Sequence, residues 1–418
     1  MNKLFFSLIM LSCLVRADIT IHSTENEELC IAVLFTSNSS ENLKEAYSIL
    51  KSDLELSGQL KIEQKDISKL TKERILKVGE SCSLILFIAE NKDKLEWRLY
   101  DGLSAKMLKG QKVAYPEDIL EKHFVVHKIA DQIFNLVTSE KSSFASTIVA
   151  CKKTKDKDGK HKTLIYGFYP GNFKQNKIVV ENGITLSPHW HPDKKILFYS
   201  QHTPLNVRLM MLDDGIRKII STFDGLNITP AFSSSGRIVV SITRNGVGRL
   251  CEYKFDNKDK KCKFYSLTSS DIHAFSPSFI DDNTIVFCAI DKQKTPRVAL
   301  LNLKDKKIKY ISKGSCLSPS YSKVKDTIVY CKKTEEGRQI FSYNLKTEKE
   351  KQLTRDKAYK IDCCWSPCGN YILYSEDTGN NSRIAILNIV TKQKRYLTPI
   401  NENWISPAWS PLYGESFL

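Results

Sequence analysis

The sequence predicts a small N-terminal α/β domain followed by a six-bladed β-propeller. Three observations carry that reading. A motif of a small residue, an aromatic and a polar turn recurs six times, with Pro two residues before the aromatic in five copies, a β-branched and aromatic strand follows all but the last copy, and the N-terminal third has no copy at all. That N-terminal third instead alternates apolar strands with amphipathic helices.

In chain order, Met1–Ala17 reads as a signal peptide. It has Lys3 at its start, an apolar run from Leu4 to Leu14, and Val15 and Ala17 at positions suited to signal-peptidase cleavage. A membrane-spanning helix needs roughly 20 apolar residues, and this run is shorter. A lipoprotein reading through Cys13 is the alternative, with Leu-Ser-Cys as a poor lipobox. Residues 18–140 form the expected α/β domain. Leu29–Phe35 is a buried-type strand, and Asn38 with Glu41 caps a helix whose apolar face is Leu43, Ala46, Tyr47, Leu50 and Leu54. Leu84–Ala89 is a second strand, Leu95–Tyr100 and Met107–Tyr115 make a hairpin around Gly102, and Pro116 opens a helix running to about Val137. Thr138–Ser143 is a short polar linker.

The propeller is expected over 144–411, with 412–418 as a tail. Its motif aromatics are Trp190, Phe232, Phe279, Tyr321, Trp365 and Trp409, 42 to 47 residues apart, which is the length of a four-stranded blade. The first five copies each precede a short strand, and a hairpin with a polar turn follows. Thr147-Ile-Val-Ala-Cys-Lys-Lys153 nearly duplicates Thr327-Ile-Val-Tyr-Cys-Lys-Lys333 but has no motif before it, whereas the copy at Trp409 has no strand after it. Pairing the 404–409 strand with the 147–151 strand closes the ring and hides two sheet edges.

An apolar share of 41% and an aromatic share of 10% belong to a globular protein. The net charge of +16 comes mostly from Lys in short polar turns along the whole chain. That reads as solvated surface and not as a nucleic-acid site. Past residue 17 no stretch is long and apolar enough to span a membrane, so the mature chain reads as soluble and monomeric. Of the 12 cysteines, Cys251 and Cys262 flank the turn at Asp256-Asn257 and are expected to form a hairpin disulfide. Cys288 and Cys331 share a repeated strand position that is Ser at 200, 241 and 375, and read as small packing residues. Cys363, Cys364 and Cys368 have no zinc-type spacing.

Catalytic machinery is not found. Gly79-Glu80-Ser81 and Gly414-Glu415-Ser416 begin a nucleophile elbow, but Ser83 and Leu418 end it. There is no P-loop and no dinucleotide fingerprint. His189 and His191 flank Trp190 at a spacing able to hold a metal, yet they occupy variable slots of the repeat and read as structural. His127 reads as a hydrogen-bonded interface or core histidine. No cofactor, metal or catalytic residue is expected. The alternative is a periplasmic propeller hydrolase or lyase acting on an anionic sugar or peptide, through scattered residues at the channel mouth.

The order of export signal, α/β domain and six repeats resembles the TolB family. The most specific segments are Ser406-Pro-Ala-Trp-Ser-Pro411, Cys364-Trp-Ser-Pro-Cys-Gly369 and His127-Lys-Ile-Ala-Asp-Gln-Ile133. Gly is lost after Asp193, and the copies at Phe279 and Tyr321 lack the second Pro. The resemblance implies a non-catalytic periplasmic scaffold of the Tol–Pal envelope system that supports outer-membrane integrity and cell division. It implies a propeller face that binds the peptidoglycan-associated lipoprotein and a segment after the cleavage site that binds the inner-membrane protein TolA. The matching segment is Asp18, Ile19, Thr20 and Ile21, whose alternating Ile residues suit strand addition. The matching propeller positions are Leu226, Asn227, Thr229, Arg244, His273 and Phe275, in or beside the loops Asp224–Thr229 and Ser269–Ser276. Leu226 and Phe275 replace polar family positions. Lys152, Lys153, Lys155, Arg244, Lys292, Lys294, Lys332, Lys333 and Arg338 make that face basic and the partner acidic.

Overall fold

The computed structural model describes residues 28–36, 40–181, 183–223, 225–256, 261–414 and 416. Asn38 and the expected signal peptide lie outside them. The N-terminal domain runs β1 (Leu29–Thr36), α1 (Glu41–Leu56), β2 (Leu60–Ile67), α2 (Lys72–Gly79), β3 (Leu84–Asn91), β4 (Lys94–Asp101), β5 (Met107–Ala114) and α3 (Ile119–Thr138). Its sheet has the order β2-β1-β3-β4-β5, with β1 parallel to β2 and β3. Strand β1 is buried on both sides, as its unbroken apolar run requires. Ile31, Val33 and Phe35 meet the core shared with α1 and α3, and Ala32 and Leu34 meet Ile75 and Val78 of α2.

Helix α1 is capped by Ser40, whose side chain accepts from the Leu43 amide. Helix α3 starts after Asp118, which accepts from the Leu120 and Glu121 amides, and so begins later than Pro116 suggests. Strand β2 and helix α2 were not anticipated. The first is an edge strand with alternating charges, and the second is too short for its face to show a period. Cys30 and Cys82 form a disulfide across β1 and the entry to β3. The parallel pairing of Ile31 with Leu84 brings them together, and no local spacing announces it.

The propeller has six blades of four strands, of which the first two are joined into one eight-stranded sheet by a parallel bridge between Thr163 and Ile184. Counting outward from the axis, blade 1 holds Trp404–Trp409, Ile148–Lys155, His161–Tyr169 and Asn172–Val180. The inner strands of blades 2 to 6 are Ile184–Trp190, Asn227–Phe232, His273–Asp281, Cys316–Ser322 and Tyr359–Trp365. Trp404 pairs with Lys152 and Trp409 with Ile148, so the last strand of the chain completes the blade begun 250 residues earlier. Two main-chain links flank this seam, the Lys153 amide to the Asn403 carbonyl and the Ser410 amide to the Thr147 carbonyl, and the Thr147 amide also donates to the Ser410 side-chain hydroxyl.

Every inner strand carries a bulge at the same repeat position, and that of blade 4 shifts register a second time between Phe279 and Asp281. At each bulge a non-glycine residue adopts the left-handed conformation: Ser187, Thr229, Ser276, Ser318, Asp362 and Ser406, with φ between 48° and 54°. Five of these precede Pro, which has no N–H to be orphaned where the ladder breaks. The repeated Ser/Cys position on the second strand does more than fill space. Ser241 Oγ donates to the Ala274 carbonyl and Cys288 Sγ to the Cys316 carbonyl, while Ser375 Oγ accepts from the Ser406 amide. These bonds tie blades 3, 4 and 6 to the inner strand of the next, whereas Ser200 Oγ donates to the Leu186 carbonyl within its own blade.

The expected Cys251–Cys262 disulfide is not supported. The hairpin closes at Asp256 opposite Lys261, two residues later than the sequence suggested. Cys251 therefore faces Ser266 and is a free thiol, and the backbone partner of Cys262 is Phe255.

The two domains share one core. Val126, Ile129, Ile133 and Phe134 of α3 pack with Phe144, Phe168, Tyr371, Leu373 and Trp404 of blades 1 and 6 and the segment leading into them. The linker is pinned: Asp131 accepts from the Ser142 hydroxyl and the Phe144 and Ala145 amides, and Ser143 Oγ accepts from the Cys368 amide. At the centre of the contact, His127 Nδ1 lies 2.6 Å from Asp53 Oδ2, both fully buried, with the Tyr169 ring 4.1 Å from the imidazole. Gly171 closes this pocket. A Cβ there would lie 2.2 Å from Asp53 Oδ1.

Burial pushes the Asp53 carboxyl well up and the His127 imidazole down to about 3. Unfolded, the pair holds two protons below 3.8, one between 3.8 and 6.5, and none above 6.5. The depressed His127 value stabilises the fold above 6.5, and that stability is lost as pH falls. The raised Asp53 value stabilises the fold below 3.8, and that stability is lost as pH rises. The two slopes oppose each other between those limits, and above pH 6.5 the raised Asp53 value alone acts, so stability falls with pH for as long as the folded carboxyl holds its proton. Denaturant unfolding of wild type and Asp53→Asn at pH 6 to 9 checks this. The wild type is expected to lose stability relative to the variant as pH rises, and parallel curves would contradict it.

Ring closure yields a second expectation. Truncation before Asn403 removes the inner strand of blade 1 and bares the Ile148–Lys155 edge. The truncated chain is expected to melt at lower temperature or aggregate in thermal scans with light scattering. An unchanged melting curve would contradict the role of the seam.

Candidate partner-binding face

In an antiparallel blade, the loop entering the inner strand and the turn joining the second strand to the third lie at the same end. Six blades therefore gather these segments on one face. On blade 3 the entry loop is built by Asn227. Its buried side chain donates to the Val207 carbonyl at 2.8 Å and the Phe223 carbonyl at 2.7 Å, and accepts from Ser221 Oγ at 2.6 Å. This clamp leaves Phe223 40% and Leu226 45% exposed. The Arg244 guanidinium stands 5.1 Å over the Phe223 ring, and Phe223 meets Phe264 edge-on.

Arg244 is aimed by Asn245-Gly246. Both residues have positive φ (51° and 76°), as a two-residue hairpin turn that matches strand twist requires. The same turn reaches blade 4, where the Gly248 amide donates to His273 Nδ1 at 3.3 Å. Leu226, Arg244 and the exposed His273 thus come together around one hairpin, helped by the Thr243 amide donating to the Leu226 carbonyl. The other expected positions lie deeper. Phe275 is half-buried opposite Cys288, Asn227 is the clamp, and Thr229 sits at a bulge on the axial cavity. Asp18, Ile19, Thr20, Ile21 and Asp224 lie outside the described residues.

The basic character of the face is narrower than its composition suggests. Lys152 pairs with Glu402 at 2.7 Å, and that contact, foremost, holds the Glu402 carboxyl below its ordinary range. Lys332 pairs with Glu350 at 2.7 Å, and Arg338 is engaged by the Ser315 and Cys331 carbonyls. Lys153, Lys155, Lys292, Lys294 and Lys333 remain exposed. Sequence reasoning also missed an ionic corner on blade 6. The buried Lys360 bonds Asp356 and the Ala358 carbonyl, and Glu376 takes Arg383 at 2.7 Å and Lys394 at 3.0 Å. Lys360, Glu376, Arg383 and Lys394 come from the four strands of the blade and Asp356 from the loop before them, so only the assembled blade brings them together. Removing one partner would leave a buried charge uncompensated, so this corner is held rigid.

A cavity of about 560 Å³ opens along the axis, lined by the six bulges. The Asp362 carboxylate accepts from Ser406 Oγ at 3.0 Å and Ser318 Oγ at 3.4 Å, while burial pushes its carboxyl up. His189 Nδ1 lies 3.0 Å from the Ser187 carbonyl, with burial pushing its imidazole down. His191 turns away to pack at a tilt against Phe232, so the two histidines do not converge. Among the described residues, the His/Cys/Asp/Glu group tight enough for a metal is Cys30, Glu63 and Cys82, and its sulfurs are joined as the disulfide.

Comparisons with known proteins agree with this architecture. A solved TolB from Acinetobacter baumannii superposes with a TM-score of 0.77 at 18% identity, covering 93% of this chain and 98% of that one. A chain of a nidogen/laminin complex superposes at 0.51 with 9% identity, covering 63% of this chain and 98% of that one. Both likenesses concern the fold. The Tol-Pal system protein TolB of Rickettsia bellii is 27% identical over 164 residues, and that of Rickettsia canadensis 29% over 165. Each match covers 38% of this chain and 36% of the relative, so the chain matches little more than a third of those curated relatives. The family model described as the TolB beta propeller domain matches residues 134–413, two thirds of the chain. By that match, over all six blades, the chain belongs to the TolB family.

Proposed function

We propose that this chain is a non-catalytic scaffold of a periplasmic Tol–Pal-type envelope system, built as an α/β domain (18–140) and a propeller (144–411). In this reading the loop face of the propeller binds a peptidoglycan-associated lipoprotein. The segment Asp18–Ile21 engages an inner-membrane partner of the TolA type by strand addition, and the assembly supports outer-membrane integrity and cell division. The observation that carries the reading is the patch of Leu226, Phe223 and Arg244 on an entry loop clamped from beneath by Asn227. An apolar surface with one aimed cation, already ordered before binding, is the composition of an interface hot spot. The exposed Lys residues around it suit an acidic partner and a fast, salt-sensitive association.

The test is binding of full-length mature chain to the peptidoglycan-binding domain of a lipoprotein from the same cell, by calorimetry at two salt concentrations. Leu226→Ala and Arg244→Ala are each expected to weaken binding roughly tenfold, and added salt to weaken the wild type more than Arg244→Ala. Equal binding by wild type and both variants would move the interface elsewhere. No binding by the wild type would remove the lipoprotein from the proposal.

A further inference from the structure

Blades 5 and 6 meet at a contact made nowhere else in the ring. The second strands of the blades carry Cys151, Ser200, Ser241, Cys288, Cys331 and Ser375 at one repeated position, which in blades 3, 4 and 6 is hydrogen-bonded to the inner strand of the next blade. The residue after each left-handed bulge position is Pro188, Pro230, Pro277, Pro319 and Pro407 in five repeats, and Cys363 in the sixth. The one repeat that departs from Pro thus places a thiol against a blade whose reaching residue is Cys331. Both side chains pack in one buried cluster with Val329, Ile340 and Trp365. Cys363 Sγ points toward blade 5, donating to the Ser318 carbonyl at 3.3 Å. Its neighbour Cys364 points the other way, toward the Pro407 carbonyl of blade 1 at 3.8 Å. Both Cys331 and Cys363 are free thiols in this structure.

We infer that Cys331 and Cys363 are an inter-blade cross-link site, oxidised to a disulfide that staples blade 5 to blade 6. The oxidant is a donor disulfide, either a small one such as oxidised glutathione or that of a thiol–disulfide exchange protein. One cysteine attacks the donor to form a mixed disulfide and releases the first donor thiol. The second cysteine then attacks that mixed disulfide and releases the other. Two electrons pass from the pair to the donor, and the two protons leave with its thiols. The neighbouring Cys331 thiol, together with burial, pushes the Cys363 thiol well up. In the packed ring that sulfur stays protonated and attacks poorly, so the exchange belongs to folding, before blades 5 and 6 close. The cross-link closes a loop of about 30 residues two blades from the seam and restricts the unfolded chain.

The experiment refolds the full mature chain in glutathione buffers of increasing oxidised fraction, traps thiols by alkylation in denaturant, and maps peptides without reduction. Linkage of Cys30 to Cys82 is the internal marker that the buffer oxidises. At buffer compositions that give the marker, the peptides of Cys331 and Cys363 are expected linked to each other. Their melting temperature is expected to exceed that of the same protein with only these two cysteines reduced by roughly 5 °C. Cys331→Ser places the residue already found at 200, 241 and 375, and Cys363→Pro restores the residue of the other five repeats. Both variants are expected to fold, lose the linked peptide and lose the melting shift. Free alkylated Cys331 and Cys363 wherever Cys30–Cys82 is linked would overturn the inference. So would linkage of either cysteine to another partner, or an unchanged melting shift in Cys331→Ser.

Discussion

The pairing of Trp404–Trp409 with Ile148–Lys155 is the contact on which the rest of the molecule depends. A propeller blade buries its faces against its neighbours, and an open array would leave a face bare at each end of the repeat. Here the missing inner strand of blade 1 comes from the far end of the chain, held by a main-chain ladder. The Trp409 indole N–H donates to Ser146 Oγ at 2.6 Å, and the Trp404 indole packs among Phe168 and Phe173. The same strand carries the last of the six bulges, so closing the ring also completes the axial cavity.

From closure follows the sharing of work between faces. Each inner strand breaks its ladder at a left-handed residue, followed in five blades by Pro, and turns polar groups toward the axis. The wall of the cavity is therefore built by repetition. The loop face is not. It is shaped by features specific to each blade: the Asn227 clamp, the Asn245-Gly246 turn under Arg244, and the Lys360–Asp356 and Glu376–Arg383 pairs of blade 6. A periodic scaffold supporting non-periodic loops lets one rigid frame present a single recognition surface.

The N-terminal domain is fused to this frame through a shared core and a buried polar centre. His127, Asp53 and Asp131 lie where a free hinge would leave charges without solvent, and each is instead engaged by a partner or by main-chain amides. The linker serine hydroxyls contribute to this arrangement. Ser142 bonds Asp131, and Ser143 bonds the Cys368 amide across the domain boundary. Movement of the α/β domain relative to blades 1 and 6 would expose the Asp53–His127 pair and the apolar face of α3 together, which makes the two domains one cooperative unit.

What the sequence by itself determined was everything with a period. Six copies of a motif at blade spacing announced the propeller, and the unmatched Ile148 strand and Trp409 motif announced how the ring closes. The apolar run of β1 and the amphipathic face of α3 announced the α/β domain, because these signals repeat within a few residues of one another. Tertiary structure alone decided the contacts between residues distant in the chain. Parallel pairing, and not spacing, joined Cys30 to Cys82, and a hairpin turn two residues later than expected separated Cys251 from Cys262. Asn227 and Thr229 were legible as site positions, yet the fold turned one into a clamp and the other toward the axis. The burial of Lys360 and the meeting of His127 with Asp53 left no local trace. The physical reason is the same throughout: a period records which face of an element is buried, whereas a register or a docked partner exists only once the elements have packed.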